Sequence, residues 1–286
     1  MRLGIALFAV LLVAPLAPPA QAGSRRIDVG GYKLNLRCAG EGVPVVLFDS
    51  GAGDSSDTWD WVVPEVRRFT KVCTYDRAGL GKSDVGPFPR TSDRIVDELD
   101  RLVKRAGVLG PYVLAGHSFG GLNMRLFASL HPESVAGLVL VDATPEDFPA
   151  TDASLRTRDE NEKLRTDRAL GTPTFRSELD SMIASAASVR AARPTEAPVV
   201  VLTAAHADAS VTFRETWTVL QKRMVGAFPH ARQVLADHSG HYIQYDQPEL
   251  IVAAIRELID GARAAALREV SGSRRARARG RRGSSD

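Results

Sequence analysis

Cysteine is scarce in this chain, which has only two cysteines, Cys38 and Cys73, among its 286 residues. Neither belongs to a Cys-x-x-Cys pair or has the spacing of a zinc site, so the sequence gives no reason to expect a bound metal. An even pair of cysteines forms a disulfide in an exported protein, whereas in a reducing compartment the two would remain buried free thiols.

Long apolar runs are also lacking. No run reaches the length that a helix needs to cross a bilayer, so no transmembrane segment is expected in the mature chain. The composition is 44% hydrophobic and 25% charged, which is typical of a globular protein and not of a fibrous or disordered one. The length allows one large domain or two small ones.

The first 22 residues have the pattern of an export signal. A positive start at Met1-Arg2 precedes an apolar stretch over 3–14, and Ala20-Gln21-Ala22 forms a small-x-small cleavage site. This order predicts a signal peptide cut after Ala22 and a secreted or periplasmic protein. An uncleaved anchor is the alternative, but the apolar stretch is short for that role.

Positive charge is concentrated at the other end. The formal net charge is +3, yet the last 14 residues alone carry six arginines and one aspartate. Without those residues and Arg2, the rest of the chain has a net charge of −3. We expect 266–286 to be disordered, because such a composition cannot bury a core. The tail is either a weak contact for anionic surfaces or a solvated appendage; no specific nucleic-acid partner is expected.

Strand and helix patterns alternate along the middle of the chain. Strands are predicted as a hairpin over 26–37 and at 43–48, 71–75, 112–115, 135–141, 198–203 and 231–236. Helices are predicted at 92–106, capped by Ser92, at 122–130, and from Pro248 to about 259 with Asp246 as the N-cap. This alternation predicts an α/β fold with a mostly parallel sheet covered on both faces.

The segment 144–197 interrupts the alternation. It is polar, includes helical stretches such as 177–191, and separates a first core part (23–143) from a second (198–265). An insertion of this length predicts a helical lid or binding element. The candidates to line a pocket are Phe148, Phe175 and Met182 in the insertion and Trp59 and Trp61 before it. Each of these side chains could equally be part of the hydrophobic packing of the fold.

One serine lies between two glycines directly after a predicted strand. Residues 112–121 read YVLAGHSFGG, in which Gly116-His117-Ser118-Phe119-Gly120 matches Gly-x-Ser-x-Gly. A strand before this motif and a helix after it predict a nucleophile elbow, whose sharp turn requires small residues at both glycine positions. The hydroxyl of Ser118 would lie at the carboxyl edge of the sheet, beside a helix N-terminus whose dipole favours negative charge.

A nucleophilic serine needs a base. His238 and His241 follow the last predicted strand and therefore lie at the same edge, and we prefer His241 because Gly240 allows the backbone to project it. We expect the other histidines to have no direct catalytic role. His117 is interpreted as a packing residue, His131 as structural, His230 as a residue beside the last strand and His206 as a neighbour of the site.

The base in turn needs an orienting carboxylate. Asp208 follows the strand at 198–203 by a few residues, and Asp142 ends the strand at 135–141. We prefer Asp208. The non-catalytic alternative for Asp208 is a solvated residue in a loop, and for Asp142 it is the cap of a helix or turn.

The order Ser118, Asp208, His241 resembles that of the α/β-hydrolase superfamily, over about residues 27–262. The segment 50–61 is similar to the oxyanion loop of that family, although it has Ser50-Gly51 where His-Gly is usual. This resemblance implies that the backbone N–H groups of Ala52 and Phe119 bind the oxyanion. The segment YDRAGLGKS (75–83) resembles a scaffold loop, to which we assign no chemistry. The resemblance also places the strands of Cys38 and Cys73 side by side, which implies a disulfide.

The resemblance implies a serine hydrolase that acts on carboxylic esters or related small acyl compounds through an acyl-enzyme, with no metal or organic cofactor. A serine at the elbow disfavours epoxide and halide chemistry, which uses aspartate there. Amide or peptide cleavage, C–C hydrolysis and perhydrolysis remain alternatives on the same residues. A non-catalytic binding protein with the same fold is a further alternative.

Overall fold

The computed structural model of the chain describes residues 23–148 and 158–282. The predicted signal peptide, residues 149–157 of the predicted lid and residues 283–286 of the tail lie outside the described residues. Within the part that the structure describes, no helix is long and apolar enough to cross a membrane.

Eight strands form one sheet in the order β1-β2-β4-β3-β5-β6-β7-β8. β1 and β2 form the predicted antiparallel hairpin, β2 pairs antiparallel with β4, and β3 to β8 are parallel to one another. The predicted α/β fold with a mostly parallel sheet is therefore confirmed. The strands are β1 (Ser24–Asp28), β2 (Lys33–Ala39), β3 (Val45–Asp49), β4 (Val72–Tyr75), β5 (Tyr112–His117), β6 (Val135–Val141), β7 (Val199–Ala204) and β8 (Ala231–Ala236).

Helices cover both faces of this sheet. Neighbouring strand residues point to opposite faces, so Leu47 and Leu114 belong to one hydrophobic cluster while Val46 and Val113 belong to another. The described helices are α1 (Val63–Val66), α2 (Ser92–Ala106), α3 (Phe119–Leu130), α4 (Arg158–Leu170), α5 (Pro173–Asp180), α6 (Met182–Ala191), α7 (Val211–Gly226), α8 (Ile243–Asp246) and α9 (Pro248–Arg282), with short 3-10 turns at Ser56–Trp59 and Pro132–Ser134.

Helix α2 has the predicted bounds but a different cap. The hydroxyl of Thr91, not Ser92, accepts a hydrogen bond from the Arg94 amide at 3.4 Å. Ser92 is buried and donates instead to the Asn123 side chain. Gly107 ends the helix with a φ of 69°, a left-handed conformation that glycine adopts readily at helix C-termini.

The inserted segment and the C-terminal segment differ in detail from the prediction. Between β6 and β7 the described residues form three helices, and the stretch 177–191 is divided between α5 and α6 at Ser181. The expectation of disorder from residue 266 is not met, because α9 continues to Arg282. Alanine and arginine are strong helix formers, and this local propensity favours the continuation of the helix.

The predicted disulfide between Cys38 and Cys73 is present. The two residues are directly paired on β2 and β4, with their Cα atoms 4.1 Å apart. The bond links the antiparallel hairpin to the parallel part of the sheet and closes a loop that contains all of β3.

Replacing both cysteines with alanine should lower the free energy of unfolding by about 4 kcal/mol, because the loop spans 35 residues in sequence and its closure restricts the unfolded chain. Urea denaturation of the double variant and of the oxidised native chain measures the difference. Reduced native chain is the control that retains both thiols. Equal stability of all three would show that the bond does not constrain the unfolded ensemble.

Candidate active site

Ser118 occupies a strained turn between β5 and α3. Its φ of 51° and ψ of −119° are unfavourable for a residue with a side chain. The Ser118 amide donates to the Val141 carbonyl at 3.2 Å, and its carbonyl accepts from the amides of Gly121 (2.9 Å) and Thr144 (3.1 Å). The ends of β5 and β6 thus hold the turn in the geometry that a nucleophile elbow needs.

The glycines around Ser118 are required by close backbone packing. A Cβ atom at Gly116 would lie 2.5 Å from the Gly120 carbonyl oxygen, and one at Gly120 would lie 2.5 Å from the Asp49 carbonyl oxygen. A third glycine has the same constraint, since a Cβ atom at Gly121 would lie 2.3 Å from that of Ala143. The sequence motif singled out the first two glycines and not the third.

The carboxylate beside His241 is Asp142, and not Asp208. His241 Nδ1 lies 2.7 Å from Asp142 Oδ2, and the Asp142 side chain is fully buried. Asp208 is exposed in the turn after β7. The preference for Asp208 is therefore corrected: β6 and β7 end at the same edge, but Asp142 follows β6 immediately and turns inward with a φ of 39°.

A second imidazole shares the same carboxylate oxygen. His206 Nε2 lies 2.7 Å from Asp142 Oδ2, and the rings of His206 and His241 are stacked with centroids 5.9 Å apart. Asp142 Oδ1 accepts from the Ala204 amide at 3.0 Å and from the Trp217 indole N–H at 2.9 Å. The sequence placed His206 near the site but carried no signal for this bond.

These hydrogen bonds determine the charge of Asp142. Burial alone would raise the pKa of this carboxyl, but the hydrogen bonds from His206 and His241 outweigh that effect and hold the pKa below its ordinary value. Asp142 is therefore ionised at neutral pH and can orient the His241 ring with Nδ1 protonated and Nε2 available as a base.

Asp142, His206 and His241 also bring three metal-type ligand atoms within 4.8 Å of one another. Each nitrogen lies 2.7 Å from the carboxylate oxygen, which is a hydrogen-bond distance. Two ligands of a tetrahedral zinc ion would be separated by roughly 3.3 Å. The observed spacing therefore fits shared protons better than a shared ion.

The loop that carries His241 is held by contacts around its backbone. The Gly240 amide donates to Asp246 Oδ2 at 2.9 Å, so Asp246 supports this loop instead of capping the last helix as predicted. His238 is exposed, and its amide is held by the Gln247 side chain. His241 is thus the histidine of this loop that lies beside His117, the residue before Ser118, with ring centroids 4.6 Å apart.

His117 is more than a packing residue. Its Nε2 donates to the His241 carbonyl oxygen at 2.8 Å, and the two ring centroids are 4.6 Å apart. Burial lowers the pKa of His117 to about 3, and the neighbouring His241 contributes to the same shift. Within the described residues the Nδ1 atom is buried without a hydrogen-bond partner, which fits a neutral ring.

The two predicted oxyanion donors belong to adjacent segments. Ala52 is half-buried in the loop after β3, and Phe119 is the first residue of α3, where N–H groups have no intrahelical acceptor. The close approach of Gly120 to the Asp49 and Ser50 carbonyls brings these segments together. In the described part of the chain, the Ser118 hydroxyl makes no hydrogen bond to His241; such contacts often tighten only when substrate binds.

The aromatic and methionine residues that were predicted to line a pocket have different surroundings. Trp59 is fully buried against Phe48, with ring centroids 4.4 Å apart, whereas Trp61 is 69% exposed. Met182 packs against the hydrophobic cluster that contains Phe119. Phe148 contacts Trp217 with ring centroids 4.9 Å apart, which brings it close to the Asp142 cluster. Phe175 packs on Gly53 in the loop after β3.

Comparison with known proteins identifies similar chains. Residues 43–219 match the sequence profile of a family described as alpha/beta hydrolase fold. An uncharacterized Bacillus subtilis protein, YqjL, is 27% identical over 81% of this chain and 89% of its own length. Several other curated relatives match over shorter stretches, and this chain spans only 15–41% of their lengths.

Solved structures also resemble this fold. A putative lipase from Acinetobacter baumannii is 20% identical, with a TM-score of 0.63 over 85% of this chain and 92% of its own. An enol-lactonase from Burkholderia xenovorans is 19% identical, with a TM-score of 0.64 over 82% of this chain and 100% of its own. At these identities the likeness concerns the fold alone.

Replacing His117 with glutamine should reduce the loss of stability in acid. The pKa of His117 is about 3 in the folded state and 6.5 in the unfolded state, so the unfolded state binds more protons between these values. The native chain should therefore lose about 3 kcal/mol more than H117Q between pH 7 and pH 4.5.

Chemical denaturation of both chains across this pH range measures the difference. H230Q, at an exposed histidine outside the site, controls for the loss of one imidazole. Parallel curves for the native chain and H117Q would contradict a neutral buried ring.

Proposed function

This chain belongs to the α/β-hydrolase family, and on that premise we propose that it is a serine hydrolase acting on carboxylic esters or related small acyl compounds. The observation that carries the proposal is the hydrogen bond between His241 and the buried, ionised Asp142, beside a serine on a strained strand-to-helix turn. The proposed triad is Ser118, His241 and Asp142.

In the proposed reaction, the Ser118 oxygen attacks the carbonyl carbon of the substrate. His241 Nε2 takes the serine proton while Asp142 holds Nδ1–H and stabilises the imidazolium that forms. The N–H groups of Ala52 and Phe119 bind the negative oxygen of the tetrahedral intermediate, an effect worth about 3–4 kcal/mol per donor. His241 then returns the proton to the leaving group, and water activated by the same histidine releases the acid. No metal or organic cofactor takes part.

His206 and Trp217 support this role for Asp142. Both donate hydrogen bonds to the carboxylate, so it keeps a single orientation and its charge although it is fully buried. A fixed carboxylate gives His241 one tautomer and one ring orientation before substrate binds, which removes reorganisation from the reaction. A merely structural aspartate would not need to orient a histidine at the elbow.

Carboxylic esters are the leading substrate class of this proposal, since a serine nucleophile, one base and two backbone donors are sufficient for their hydrolysis. Amides, C–C bonds and perhydrolysis use the same groups and are distinguished by substrate shape. The strained turn at Ser118 and the hydrogen bond between His241 and Asp142 disfavour the alternative of a non-catalytic binding protein. The same proposal includes the action of the inserted segment 144–197 as a lid, with Phe148 and Phe175 as candidates to line the pocket.

We also propose a secreted or periplasmic location. The disulfide between Cys38 and Cys73 supports it, because such bonds persist in oxidising compartments. The signal-like pattern of residues 1–22 supports it independently. The contact of the arginine-rich C-terminal segment with anionic surfaces remains a prediction.

The first test is labelling with a fluorophosphonate probe followed by intact mass measurement. The native chain should gain one adduct, whereas S118A should gain none and H241A should react at least 100-fold more slowly, because the serine loses its base. A folded native chain that gains no adduct would overturn the enzyme proposal and favour the binding-protein alternative.

The second test separates the two candidate carboxylates. D142N should lower kcat on a p-nitrophenyl ester by about 10³–10⁴-fold, since the amide stabilises the wrong tautomer of His241. D208N is the matched control and should stay within about twofold of native, because its side chain is exposed in the turn after β7 and Asp142, not Asp208, is hydrogen-bonded to His241. Circular dichroism verifies that both variants fold. A reversed order of effects would restore Asp208 as the triad acid.

A further inference from the structure

A buried arginine lies beneath the loop that supplies the predicted oxyanion donor Ala52. The Arg77 side chain is 1% exposed and lies between two fully buried carboxylates, with Nη1 2.6 Å from Asp49 Oδ1 and Nε 2.7 Å from Glu178 Oε1. Burial would lower the pKa of Arg77, but the two carboxylates outweigh it and keep the guanidinium charged. Sequence similarity marked this residue as scaffold only.

Arg77 also holds the backbone of that loop. Nη1 donates to the Ser50 carbonyl at 2.7 Å, and Nη2 donates to the Gly51 carbonyl at 2.6 Å. The C=O of Gly51 and the N–H of Ala52 belong to one planar trans peptide and point in opposite directions. Because the carbonyl faces Arg77, the Ala52 N–H faces away from it. This N–H donates to no acceptor in the described part of the chain, so it remains available for a ligand.

The residue on the other side of Ala52 is held by the inserted segment. The Gly53 amide donates to Glu178 Oε2 at 2.8 Å, and Arg77 Nη2 lies 3.0 Å from the same oxygen. Glu178 is on α5 and is fully buried. One side chain from outside the core therefore contacts both the loop and the arginine that orients it.

Helix α5 packs closely on the loops that follow β3 and β4. A Cβ atom at Gly53 would lie 2.5 Å from the Phe175 ring, and one at Gly79 would lie 2.0 Å from the Thr174 hydroxyl. Both glycines have positive φ angles, of 77° and 82°. The helix thus packs directly on the loops after β3 and β4, where any larger residue would push it away.

From these contacts we propose that Glu178 is a positioning residue, through which docking of α5 aligns the Ala52 N–H for the oxyanion. The proposal rests on the serine-hydrolase function proposed above. When α5 is docked, Gly51 and Gly53 are both held and the peptide between them has one orientation. When Glu178 is lost, Arg77 keeps its salt bridge to Asp49 but loses the one to α5, and Gly53 loses its acceptor.

The expected effect is on catalysis more than on substrate binding. The oxyanion exists in the transition state and not in the bound ester, so a misaligned donor lowers kcat and leaves KM nearly unchanged. Complete loss of one such donor lowers kcat by about 10²–10³-fold. Misalignment should cost somewhat less, about 10- to 100-fold.

The chain offers a matched control in a second buried ion pair. Arg90 and Glu98 are both buried and joined by two hydrogen bonds of 2.7 and 2.5 Å. Glu98 contacts Tyr32 and not the loop after β3. E98Q therefore removes the buried carboxylate of an arginine pair, and among the described residues this carboxylate makes no hydrogen bond to the loop after β3. It leaves in place the Arg90 amide, which donates to the Ser177 hydroxyl of α5 at 3.0 Å.

The experiment compares E178Q, E98Q and the native chain in steady-state hydrolysis of a p-nitrophenyl ester, with kcat corrected for the folded fraction. E178Q should lose about 10- to 100-fold in kcat with KM changed less than threefold, and E98Q should keep native kcat even where its melting temperature falls. Equal kcat for E178Q and E98Q would overturn the proposal.

A conservative variant covers the case in which E178Q does not fold. E178D keeps the charge but shortens the reach to Gly53, so it should retain stability and lose kcat; native kcat in E178D would also overturn the proposal. Fluorophosphonate labelling of the native chain distinguishes failure of the proposed serine-hydrolase function from failure of the inference about Glu178. Absence of labelling contradicts the serine-hydrolase function itself, whereas labelling without an effect of Glu178 contradicts only the inference.

Discussion

Asp142 accepts four hydrogen bonds on a side chain that has no solvent exposure. A carboxylate has about four acceptor positions, so every one of them is used and the charge is fully compensated inside the protein. The donors come from β7, from α7, from the turn after β7 and from the loop after β8. Four separate parts of the chain are thereby fixed at the carboxyl edge of the sheet, and His241 receives its orientation from the last of these bonds.

Arg77 is the second buried charged centre, and it lies against the loop after β3. It is a buried cation between two carboxylates, and its remaining donors hold the carbonyls of Ser50 and Gly51. The proposed site therefore has two charged centres, one that would orient the base and one that would orient the backbone donor for the oxyanion. The second centre includes a glutamate from the inserted helices, so the proposed chemistry depends on a segment that the core sheet does not itself require.

Local patterns were sufficient for much of this arrangement. Buried parallel strands appear as short apolar runs, and the need for glycine around Ser118 follows from a turn within five residues. His241 follows β8 directly, which placed it at the correct edge. The disulfide could be predicted because Cys38 and Cys73 belong to strands that are neighbours in the expected fold. The helical continuation of α9 to Arg282 was missed because its composition favoured disorder, although its alanines and arginines also favour a helix.

The sequence by itself determined the sheet, the strand-to-helix turn at Ser118, the position of His241 after β8 and the paired cysteines, since each depends on short-range patterning or on strand order. Only the tertiary structure decided that Asp142 and not Asp208 contacts His241, that His206 shares its oxygen, and that Glu178 reaches Arg77. Distance along the chain shows which edge of a sheet a residue reaches, but not whether its side chain turns inward or toward solvent. That direction is set by backbone angles and by partners that are 64 to 101 residues away in these three contacts.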